Sequence, residues 1–108
     1  MTIFERLKSS IELEGIDAFD NQVLEYANQD IAILNNNNIP VDTLDDTMEN
    51  FSSIEEIDTP VVIEYLSWNA MIKLDRSFLS QSATANYIEG RIAFCLNQLK
   101  GKYDVNIL

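Results

Sequence analysis

Apolar residues recur along this chain at helical spacing, in four separate stretches. Phe4, Leu7 and Ile11 make one stripe and predict a first helix from about Thr2 to Glu14. Thr2 with Glu5 is a capping-box pair, in which the hydroxyl accepts from the helix start and the carboxylate reaches back. Gly15 is the expected stop, since glycine takes the left-handed angles of a helix C-terminus. Phe19, Val23, Ala27, Ile31 and Leu34, widened by Leu24, predict a second helix capped by Asp17 or Asp20. The run Asn35-Asn36-Asn37-Asn38 ends it, because asparagine bonds its own backbone and tolerates left-handed angles. Pro40 enforces the stop.

From Val41 to Thr59 the pattern breaks up. Asp42, Asp45, Asp46 and Glu49 alternate with Leu44 and Met48, and Ser53 with Glu56 is a second capping-box candidate. A long connection with so little periodicity is expected to be functional or mobile, and least stable locally. Thr59 as cap and Pro60 at the first helical position, where its missing N–H costs nothing, then open a third helix through Leu74. Val61, Val62 and Ile63 would also suit a strand, but the Thr-Pro start and the length favour helix. Apolar on most sides, it is expected to be the central, most buried element, with Tyr65, Trp68 and Met71 in the core.

A fourth helix is predicted from about Ala83 to Lys100, with Ile88, Ile92, Cys95 (or Leu96) and Leu99 on its inner stripe and Gly101 ending it. Gly90 inside it costs about 1 kcal/mol relative to alanine, which a close helix crossing would explain as well as mere tolerance. The expectation is an all-α fold: a small bundle of about four helices over residues 1–101, with a long irregular acidic connection and an extended C-terminal tail over 102–108. The scarcity of glycine and proline argues against an all-β domain, which needs frequent turns. Tyr103, Val105 and Ile107 fall on one side of the extended tail, with Leu108 at its end. The tail either packs on its own domain or adds to a neighbouring subunit, and these four residues are the candidate partner-binding set.

Charge sharpens the picture. The net charge is −11, and no lysine or arginine occurs between Ser9 and Ile72. Such a surface repels phosphate backbones and anionic membranes, which disfavours nucleic-acid or membrane-surface binding. It serves solubility or docks a basic partner. Cys95 is the single cysteine, so no intramolecular disulfide forms, which fits a reducing compartment. No apolar run approaches the roughly 20 residues of a membrane span, and the N-terminus lacks a secretory apolar region, so an intracellular setting is expected.

Candidate chemistry is sparse. The chain has no histidine, which removes the commonest general base and metal ligand, and its three scattered glycines form no phosphate loop. Abundant acids leave paired-carboxylate catalysis formally open. None sits in an apolar context, however, and no enzyme, cofactor or metal site is expected. Asp42 to Glu49 lacks the alternation and central glycine of an EF-hand loop. Cys95 reads as a small buried hydrophobe.

The short first helix, then Asp17-x-x-Asp20-x-x-Val23-Leu24-x-Tyr26-Ala27 and the asparagine-rich end at Ile39-Pro40, resemble the start of tailed-phage head–tail connector (adaptor, head completion) proteins. Asp58-Thr59-Pro60-Val61-Val62-Ile63-Glu64-Tyr65-Leu66 resembles their central helix, and Ile88 to Leu99 their last long helix. The resemblance implies a non-enzymatic virion protein that forms a homo-oligomeric ring of about twelve subunits, a matter of analogy and not of geometry. It further implies contact with the portal and a tail-side stopper protein, DNA passing through without specific binding, and residence in host cytoplasm during assembly. The alternative reading is a small acidic inhibitor or DNA mimic that occupies a basic site on another protein. A third is a divalent-metal enzyme using paired carboxylates.

Overall fold

The computed structural model describes residues 1–75, 77 and 80–104. Among them the chain is all-helical: α1 Ile3–Ser10, α2 Asp20–Asn36, α3 Thr59–Leu74 and α4 Ser82–Tyr103, with a 3₁₀ turn at Glu56–Asp58.

The capping box at Thr2 forms as expected. Glu5 N–H donates to Thr2 Oγ1 (3.1 Å), and Thr2 N–H donates to the Glu5 carboxylate (2.8 Å). The helix stops four residues sooner than its apolar spacing suggests. Glu12 takes φ 61°, Leu13 N–H donates to Lys8 O (2.8 Å) and Glu12 N–H to Ser9 O (3.2 Å). This is the six-to-one, five-to-two closure of a left-handed C-terminus, built on glutamate instead of Gly15. Gly15, at φ 72°, shapes a second turn further on.

The same closure ends α2. Asn38 sits at φ 65°, Ile39 N–H donates to Leu34 O and Asn38 N–H to Asn35 O, each at 3.0 Å. At its start, neither aspartate caps α2. Phe19 holds the cap position with no side-chain bond, and Asp20 is the first helical residue. Phe19 is also 44 % exposed, so it leaves the inner stripe, while Val23, Ala27, Ile31 and Leu34 are buried as expected.

The acidic connection is packed. Ile39, Val41, Leu44, Phe51 and Ile54 are all buried. Two asparagine amides of α2 bind it as surrogate peptide groups. Asn28 accepts from Leu44 N–H (2.7 Å) and donates to Leu44 O (2.9 Å); Asn35 does the same with Val41 at 3.1 and 3.2 Å. Asp42 accepts from Ser52 N–H and from the Ser52 and Ser53 hydroxyls, closing the loop on itself. Ser53 is thereby spent, and the turn at Glu56 has no side-chain cap, so the second capping box does not form. Ile3 N–H donates to Met48 O (2.8 Å), tying the connection to α1.

Helix α3 packs against α1, α2 and α4 and is the central element, as its all-round apolarity requires. Val62, Ile63, Tyr65, Leu66 and Ala70 are buried. Thr59 is its first residue and Asp58 its cap, with no capping bond from either. Trp68 and Met71 are only partly buried, at the edge of the core. Helix α4 runs antiparallel to α3: Tyr87 meets Trp68, Arg91 meets Glu64, and Lys102 with Tyr103 meets Asp58. Ile88, Cys95 and Leu99 point inward, with Ile92 and Leu96 beside them. The helix does not stop at Gly101. Only Gly15 among the glycines has a positive φ, and α4 continues through Tyr103.

Candidate interaction surfaces

The basic side chains determine what the surface offers. Lys8 spans Asp17 (2.9 Å) and Asp20 (2.8 Å), holding the 12–19 turn along α1. Lys73 bonds Asp30 (3.0 Å) between α3 and α2. Arg91 grips Glu64 with two bonds of 2.7 Å between α4 and α3, and Lys102 joins Glu55 and Asp58, each at 2.8 Å. These four bases hold the fold together, and six of the eighteen acids answer them. The other twelve acids carry no ion pair among the described residues. The charge the molecule presents outward is therefore more uniformly negative than its composition implies.

Several of these groups are perturbed. The Arg91 bonds, assisted by a Trp68 Nε1–H bond (3.0 Å), hold the Glu64 carboxyl below its usual range despite burial. Asp30 goes the other way: burial raises it against the pull of Lys73, and its Oδ2 has no hydrogen-bond partner. Asp42 and Asp58 are lowered, because the hydrogen bonds they accept outweigh their burial. Burial and the nearby Glu64 charge push the Cys95 thiol up to about 11, consistent with a structural thiol.

A groove of about 400 Å³ lies between α1 and α3, lined by Ile63, Glu64, Trp68 and Met71 with Arg6 and Ser10 along one side. Trp68 and Met71 thus face this groove instead of filling the core. The hydroxyls there are spent on their own helices, Ser10 on Arg6 O and Ser67 on Ile63 O. No acid–base or nucleophile pair lines the groove, and among the described residues no group of three or more cysteines or acids could hold a metal ion. Among the described residues no helix is long and apolar enough to cross a membrane.

Of the residues assigned to a partner-binding tail, Tyr103 belongs to the domain. It closes α4, packs on the core, accepts from Glu55 N–H (2.8 Å) and donates to Asp58 (2.5 Å). Lys102 is likewise engaged, so the domain extends past residue 101. Asp104 is tied as well, accepting from the Asn38 amide at 3.0 Å. Val105, Ile107 and Leu108 lie outside the described residues.

Exposed apolar side chains offer a different surface. Tyr87 is 60 % and Phe94 52 % exposed, both on the outer side of α4. Each is held in place, Tyr87 edge-on against Trp68 (centroids 5.8 Å apart) and Phe94 beneath the Arg91 guanidinium (4.7 Å). An inner stripe read along α4 passes over them, because they fall on the flank of the helical wheel, roughly 100–120° from Ile88.

Comparison with protein-family models, with curated proteins and with solved structures finds no match.

Proposed function

We propose that this chain is a non-enzymatic structural subunit of the head–tail connector type, assembling with copies of itself beneath a phage portal in the virion. One observation carries the reading: four of the seven bases are spent on intramolecular ion pairs, while twelve of the eighteen acids carry none among the described residues, leaving an outward charge that is mostly acid. A channel wall of that sign lets DNA pass without adhering, since phosphates are repelled and no counterions are released on contact. The helix order that resembles connector proteins, and a site chemistry without a nucleophile–base pair, support the same reading. Host cytoplasm is the place of assembly. The test is sedimentation of the purified protein with portal-bearing, DNA-filled heads. Retention with the heads at a fixed stoichiometry supports the reading, and protein left in the supernatant at every ratio overturns it.

The second reading, an acidic inhibitor or DNA mimic, is favoured by one feature. The acids of the 42–56 connection stand on a backbone pinned by Asn28, Asn35 and the Asp42–Ser52 staple, so their spacing is fixed before any partner arrives. Preorganised charge is what a basic cleft recognises at low ordering cost. Binding to a DNA-binding protein that duplex DNA competes away would support this reading in place of the first.

A further inference from the structure

We propose that the outer face of α4 is the contact through which this chain pairs with a second copy of itself, two α4 helices packing antiparallel about a two-fold axis. The inference goes beyond the connector reading and does not rest on it, because such a dimer forms in the purified protein with no head or portal present.

Charge comes first. A chain with net charge −11 repels its own copies, so a self-contact requires a face free of acid. Helix α4 has one. Ala83, Tyr87, Gly90, Phe94, Asn97 and Gly101 are all exposed, share one side of the helix, and include no charged group. The only acid of the helix, Glu89, falls to the flank. A basic partner would be drawn to the acidic connection instead, and nucleic acid is repelled.

Glycine supplies the second argument. A mid-helix glycine costs helix stability, a cost that a close backbone approach or special angles would offset. Gly90 has neither within its own chain: its φ is not positive, and a Cβ placed there would meet nothing within 4 Å. Among the described residues no helix of the same chain crosses there. A helix from outside would account for the residue.

The pattern is also self-complementary. With the axis level with Ile92, Phe94 of one copy lies over the partner's Gly90, and the partner's Phe94 lies over Gly90. Tyr87 falls beside the partner's Asn97, and Ala83 beside the partner's Gly101. The large Phe94 meets the small Gly90 twice about the axis, and no charge opposes charge at the other two pairs, a self-complementary pattern of the kind an isologous interface needs. The anchor is preorganised, since Arg91, locked by Glu64, holds the Phe94 ring in place and lowers the ordering cost of docking.

The test is sedimentation equilibrium of the full chain, and of its Gly90→Gln and Phe94→Gln variants, from low micromolar to millimolar concentration. The expected result is a parent that reaches dimer mass while each variant dissociates roughly tenfold or more readily. Thermal melting at the lowest concentration separates this from misfolding. Gly90→Gln should melt at or above the parent, since glutamine is the better helix former and its Cβ would meet nothing within 4 Å in the monomer. A parent that stays monomeric throughout overturns the proposal, as does self-association that survives in both variants.

Discussion

Replacing Tyr103 with phenylalanine removes one oxygen and tests how far the folded domain extends toward the C-terminus. That hydroxyl donates to the buried Asp58 carboxylate at 2.5 Å and accepts from Glu55 N–H at 2.8 Å. A hydrogen bond to a charged acceptor contributes about 1.5–3 kcal/mol, and the exposed Glu55 N–H can turn to water, so its loss adds little. Lys102 still reaches Asp58 in the variant and keeps that charge from being stranded. The net cost expected is about 2 kcal/mol. In a domain of this size that lowers the melting temperature by on the order of 10 °C. Urea unfolding followed by circular dichroism measures it, with an unchanged slope showing that the folded state is otherwise intact. The difference should also depend on pH. Asp58 sits below its ordinary range in the folded state, so the stability it contributes is complete above about pH 5, where the unfolded carboxyl is almost fully ionised. It fades as pH falls through the lowered folded value, and the parent and variant should converge there. A variant unfolding within about 0.5 kcal/mol of the parent at neutral pH would refute the placement of Tyr103 inside the domain.

Other side chains give sharper local checks. Leu66→Ala, at a fully buried position of α3, is expected to cost about 3–5 kcal/mol, and Trp68→Ala about 2 kcal/mol despite the larger side chain, because Trp68 faces the groove. The reverse order in denaturant titrations would place Trp68 in the core after all. Cys95, buried with its thiol raised to about 11, should react with a disulfide reagent at neutral pH far more slowly in the native protein than in denaturant. Equal rates would contradict its packing. Millimolar calcium or magnesium should leave the melting temperature nearly unchanged, since both Asp42 oxygens accept from Ser52 and Ser53 and Asp45 Oδ1 accepts from Thr47 and Met48. A saturable, ion-specific rise would show that those bonds yield to a metal.

Local signals were sufficient where the deciding interaction is local. The four helices, the Thr2–Glu5 box, the asparagine-rich end of α2 and the centrality of α3 are written in residues three or four apart, and periodicity or backbone chemistry specifies them directly. What the chain does with its surface was less legible. Phe19 falls on the inner spacing of α2 yet stands exposed at the helix entrance, where it holds the cap position. Gly101 carries the usual mark of a helix end, but the contact that decides the matter, Tyr103 with Asp58, joins residues far apart in sequence. The acidic connection looks loose in one dimension. Its order comes from Asn28 and Asn35, whose amides replace the backbone partners that a sheet would have supplied. The sequence by itself determined a helical, strongly acidic chain without histidine. Which acids keep their charge uncompensated, and which face of α4 is left bare, only the tertiary structure could decide, since both depend on where the few bases reach across the bundle.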